Sequence, residues 1–62
     1  MWQKWHILKA DIDNLGGLKA AAAQSEISLT TLTAWYNGTR IPHWLSRPGI
    51  AFSLGHPAGR YL

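Results

Sequence analysis

Residues 28 to 42 read SLTTLTAWYNGTRIP, and their side chains fit contact with double-stranded DNA better than any covalent chemistry. Thr30, Thr31 and Thr33 carry short hydroxyls that donate and accept, and Ala34 offers only a methyl. Ser28 and Leu29 flank them at the start of the stretch. Small groups of this kind let a helix come within hydrogen-bonding reach of base edges in a major groove, where methyls also touch thymine. Asn37, Thr39 and Arg40 follow, two polar donors and a cation suited to a phosphate backbone.

Other chemistries find little support. The chain has no cysteine, which removes disulfides and thiolate catalysis together. Its three histidines, His6, His43 and His56, lack the spacing of zinc ligands, so no metal and no cofactor are expected. Ser28, Ser46 and Ser53 sit in no nucleophile-elbow context, and no enzymatic activity or small-molecule substrate is expected.

The groups at 28 to 40 need a helix to present them, and the chain has the signals for one. Ser28 offers an N-cap hydroxyl, Leu32 and Trp35 share one face, and Asn37-Gly38 closes the segment with Pro42 just beyond. Before it, Leu18 to Ser25 (LKAAAAQS) is rich in the strongest helix former, and its alanines at 20 to 23 allow close backbone approach. Earlier still, Trp5, Leu8, Ile12 and Leu15 recur at steps of three and four, predicting a first helix over about residues 3 to 14 that stops at Gly16-Gly17. After Pro42, HWLS suits one helical turn and PGIAFSLG a short helix from Pro48 to Gly55. HPAGRYL reads as a tail. The expectation is an all-α fold, a small helix-turn-helix bundle of four to five short helices, with a DNA-binding domain over 1–55 and a C-terminal tail over 56–62. Leu8, Ile12, Leu15, Ala22, Leu32 and Trp35 are the expected core, with Trp5 and Trp44 joining it and Trp2 left accessible near the terminus.

Sixty-two residues make one domain at most, with little area to bury, so four tryptophans are a large aromatic share. Six Lys/Arg against three Asp/Glu give a formal charge of +3. All three acids, Asp11, Asp13 and Glu26, precede residue 27, which turns the C-terminal half toward phosphate. No membrane-spanning run and no signal-peptide pattern are present, so the expected location is cytoplasmic.

GGLKAAAAQSEISLTTLTAWYNGTRIP resembles the Cro/XRE-type helix-turn-helix of phage and bacterial repressors, especially the small Cro-like YdaS group. The shared features are a helix ending at glycine, an alanine within helix two and a closing Trp-x-Asn-Gly-x-x-Ile-Pro string. The likeness spans residues 8 to 42. It implies sequence-specific operator binding with Ser28, Thr30, Thr31 and Ala34 approaching bases, and with Leu18 and Lys19 at a helix N-terminus near phosphate. Glu26 stands where the family has the glycine of the turn, a place for a left-handed backbone that costs other residues about 1–2 kcal/mol. Ala21 replaces a large apolar residue, leaving space for Trp2, Trp5 or Trp44. The expected partner is operator DNA, bound by a homodimer whose contact lies largely in residues 44 to 62. The rival expectation is a small phage-type protein-binding inhibitor or adaptor built on the same scaffold.

Overall fold

The computed structural model describes residues 2–62 and contains four helices: α1 (Trp5–Asn14), α2 (Leu18–Ser25), α3 (Leu29–Asn37) and α4 (Arg47–Ser53). No strand occurs among the described residues, and no helix is long and apolar enough to cross a membrane. The expected all-helical bundle is what forms. α1 packs on α2 and α3, α2 on α3, and α4 on α2 alone.

Each boundary follows from local chemistry. α1 starts two residues later than its apolar periodicity predicts. Lys4 gives no side-chain cap, and Trp2 to Lys4 form a turn closed by the Trp5 N–H on the Trp2 carbonyl at 3.2 Å. The helix ends where the Gly17 N–H reaches back to the Ile12 carbonyl at 3.0 Å. Ser28 caps α3 as expected, its Oγ accepting from the Thr31 N–H at 3.1 Å. Gly38 closes α3 in the left-handed region at φ 78°, where a side chain is disfavoured. Glu26 also takes that conformation, φ 62°, at the end of α2. Ser25 braces this turn from within, its hydroxyl donating to the Ala21 carbonyl at 2.6 Å and accepting from the Ile27 N–H at 3.2 Å.

The core holds Leu8, Ile12, Ala21, Leu32, Trp35, Ile50, Ala51, Leu54 and Tyr61. Two expected members, Leu15 and Ala22, lie half-buried at its edge, and Ala21 is the alanine that points inward. A run of four alanines has no pattern from which to read that phase. Trp35 is buried, as its spacing predicts, but Trp44 is 61% exposed and not a core residue. Trp5 is half-buried and fastens α1 to α3 by donating its indole N–H to the Tyr36 carbonyl at 2.9 Å. Trp2 is half-buried too, its ring edge-on to Tyr61 at 6.3 Å.

Residues 56–62, expected as a tail, belong to the body of the fold. Tyr61 is fully buried and is the largest such side chain. Its hydroxyl donates to Asp11 Oδ2 at 2.6 Å, and Arg60 clamps the same carboxylate through Nε at 2.6 Å and Nη2 at 2.7 Å. His56 Nε2 stands 3.4 Å from Oδ1. Asp11, itself 2% exposed, thus ties the C-terminal segment to α1. Burial alone pushes its carboxyl upward, but the hydrogen bonds from Arg60 and Tyr61, with the charges of His56 and Arg60, outweigh burial and hold it below the ordinary carboxylate value.

Candidate nucleic-acid interface

α2, the turn at Glu26 to Ser28 and α3 form a helix-turn-helix in which α3 turns one face inward. Leu32 and Trp35 are buried on that face, with Tyr36 half-buried beside them. At about 100° per residue, the positions opposite are Thr30, Ala34 and Asn37, with Thr33 alongside. Thr30 and Asn37 are exposed, whereas Ala34 and Thr33 are partly covered. The middle of the stripe is therefore small and recessed. Leu29, 41% exposed, stands at one flank, and Thr31 at the other.

The hydroxyls divide into two groups that the sequence does not distinguish. Ser28 donates to Thr31 Oγ1 at 2.8 Å in addition to accepting the Thr31 N–H, so both serve the cap. Thr33 donates to the Leu29 carbonyl at 2.7 Å and Thr39 to the Ala34 carbonyl at 3.1 Å. Those two keep lone pairs for an incoming donor but have committed their protons. Thr30 has no hydrogen-bond partner among the described residues and keeps both roles.

The cations divide in the same way. Lys9 Nζ sits over the rings of Trp5 at 5.0 Å and Tyr36 at 5.1 Å. Arg47 donates to the Pro42 carbonyl at 3.1 Å with its guanidinium over the Trp2 ring, and Arg60 is spent on Asp11. Lys19, in the first turn of α2, and Arg40, just beyond α3, are exposed, and their side chains have no ion-pair or hydrogen-bond partners among the described residues. They are the two site cations expected from sequence. Glu26 is exposed at the turn between α2 and α3. Asp13 accepts the Tyr36 hydroxyl at 2.8 Å, and that bond raises the phenol's pKa above its ordinary value.

Beside Arg40 lies a cleft of about 90 Å³ lined by Trp2, Trp5, Gly38, Arg40 and Ile41. It brings together the N-terminal turn and the loop after α3, which no local pattern announces. Compared with known protein families, characterised proteins and solved structures, the chain has no match in any of the three.

Proposed function

We propose that this chain is a sequence-specific DNA-binding transcriptional regulator, a Cro-like repressor that occupies operator DNA through α3. The observation that carries this reading is the recessed Thr30–Ala34–Asn37 stripe opposite Leu32 and Trp35, with uncommitted Arg40 at its end. Such a surface admits base edges to the helix, and Arg40 with Lys19 engages phosphates. The working species is a homodimer in the cytoplasm, acting without metal or cofactor, because one short recognition helix with Lys19 and Arg40 as its phosphate-facing cations falls short of the affinity specific binders need.

The two cations set the salt dependence. With two phosphate contacts per protomer and four per dimer, the slope of log K against log salt is about −3.6, a loss of roughly 150-fold between 50 and 200 mM. Arg40→Ala is expected to weaken binding to all duplexes alike and flatten that slope. Thr30→Val is expected to cost ~1–3 kcal/mol on the preferred site and little elsewhere. Selection from random duplexes, then titration of both variants on the selected site and on random DNA, tests this. Duplex affinity that is absent, or indifferent to both substitutions, removes the DNA reading and leaves the protein-binding adaptor.

A further inference from the structure

The cleft beside Arg40 has walls that are held in place from behind. Trp5 is fixed by its indole N–H on the Tyr36 carbonyl at 2.9 Å, and Trp2 by its edge-on contact with Tyr61 at 6.3 Å. Each ring also carries a cation 5.0 Å from its centroid, Lys9 Nζ on Trp5 and the Arg47 guanidinium on Trp2. Gly38 leaves open the space beside the Trp5 indole, where a Cβ would stand 3.7 Å from Nε1. Ile41, 56% exposed, completes the apolar lining. Fixed walls keep such a space from collapsing, so a ligand meets it preformed.

The charge around the cleft is of one sign. Arg40 is the charged residue of its lining, and the guanidinium has no ion-pair or hydrogen-bond partner among the described residues. Lys9 and Arg47 do not line the cleft, so their charges lie behind the indole walls and add to the positive potential within it. No carboxylate lines it either. Asp11 is engaged by Arg60 and Tyr61, Asp13 by the Tyr36 hydroxyl, and Glu26 stands at the turn between α2 and α3. An apolar cleft with a free guanidinium at its edge matches a molecule that joins an apolar group to an anion.

We propose that this cleft binds a small free carboxylic acid in its ionised form, the ring or branched chain lodged against Trp2, Trp5 and Ile41 and the carboxylate paired with Arg40. The size sets the class. A closed cavity of about 150 Å³ takes up benzene. A cleft of about 90 Å³ therefore holds one ring part-inserted, or a short branched chain, and leaves the acid group at the mouth. There the two carboxylate oxygens meet the forked N–H donors of the guanidinium. A peptide ending in the same group fits less well, because no strand among the described residues offers an edge to hold its backbone. One consequence rests on the DNA reading above: acid and phosphate draw on the same guanidinium, so the bound acid lowers duplex affinity and acts as a releasing effector.

Benzoate is the probe, with acetate as the charge without a ring and benzyl alcohol as the ring without a charge. In proton–nitrogen correlation spectra of the full chain without DNA, benzoate is expected to move the indole N–H signals of Trp2 and Trp5 saturably, at millimolar concentration or below. Those of Trp35 and Trp44 should stay in place, and acetate should move none. Benzyl alcohol should bind ~10–100-fold more weakly than benzoate, the worth of a charge-assisted pair. Arg40→Gln should bring benzoate down to the level of benzyl alcohol, and Ile41→Ala should weaken both severalfold. Both side chains are exposed, so neither change disturbs the fold. Unmoved indole signals, or a benzoate affinity that Arg40→Gln leaves unchanged, overturn the site. Duplex affinity is then compared in benzoate and in matched acetate, with a severalfold fall expected in benzoate alone and none in Arg40→Gln. A duplex affinity indifferent to benzoate overturns the effector role, whereas indole shifts in a chain that binds no duplex leave the site standing and remove the DNA reading.

Discussion

Replacing Asp11 by asparagine is expected to remove about half of the stability of this fold while altering one side chain almost isosterically. Asp11 is 2% exposed and accepts three short hydrogen bonds, two from Arg60 and one from Tyr61. An asparagine amide keeps one acceptor oxygen and sets an N–H against a donor. Arg60, partly in water, rehydrates readily and adds little to the loss. Tyr61 has no such escape, because it is fully buried. Weakening a buried charge-assisted bond and leaving a donor unsatisfied costs about 2–3 kcal/mol. A chain of 62 residues is stable by only about 3–9 kcal/mol in total, at ~0.05–0.15 kcal/mol per residue. With a urea slope of ~1 kcal/mol/M, the unfolding midpoint should fall by about 2 M. Urea titration followed by tryptophan fluorescence and circular dichroism measures the shift, and Tyr61→Phe with the double variant apportions it. Asp11→Asn and Tyr61→Phe are expected to be strongly non-additive, since they break the same bond. A midpoint unmoved by Asp11→Asn would refute the reasoning and leave the C-terminal segment held by apolar packing alone.

Stability should also fall at both extremes of pH. Asp11 titrates below its ordinary 3.8 when folded, so its contribution is present above that value and is lost as pH falls through the lower folded one. Tyr61 is pushed upward by burial first and then by its bond to Asp11. Its contribution is therefore complete below the ordinary 10.0 and declines as pH rises past it. Melting midpoints across pH should show both limbs, the acid one flattened in Asp11→Asn and the alkaline one in Tyr61→Phe; identical profiles in all three proteins would contradict this. Glu26→Gly should raise the thermal midpoint by several degrees by relieving a left-handed non-glycine, worth about 1 kcal/mol; a lower midpoint would mean that the Glu26 side chain holds the turn.

The elements with local signals were legible in the sequence. Ser28 marks the start of α3 and Gly38 its end, because a cap and a left-handed terminus each need particular residue types at a fixed offset. Pro48 and Gly55 frame α4 for the same reason. The inward positions of Leu8, Ile12, Leu32 and Trp35 follow from helical spacing. The pairing of Asp11 with Arg60 and Tyr61 joins positions 49 and 50 apart, and no propensity or cap reaches across such a separation. One trace was available: Asp11 falls three residues after Leu8 and next to Ile12, a carboxylate on an apolar stripe in need of a buried partner. Within the candidate interface, residue type identified hydroxyls and cations but not which were free. Ser28, Thr33 and Thr39 commit their hydroxyl protons to a neighbouring hydroxyl or carbonyl and Thr31 accepts one of them, while Thr30 and Arg40 make no such bond, and that difference arises only once the helix has formed.

Because Tyr61 is the largest fully buried side chain and its hydroxyl ends on Asp11, a growing chain acquires its central piece 50 residues after the partner that piece must meet. Before residue 61 clears the ribosome, α1 carries a desolvation-prone carboxylate with no partner, and the cavity shared with Ile50 and Leu54 lacks its filler. Helices α1 to α3 can form and collide as they emerge, since their contacts are local, but their assembly lacks this last contribution. The fold is thus complete only once residue 61 is in place, and a fragment cut anywhere before Arg60 is a substrate for proteolysis.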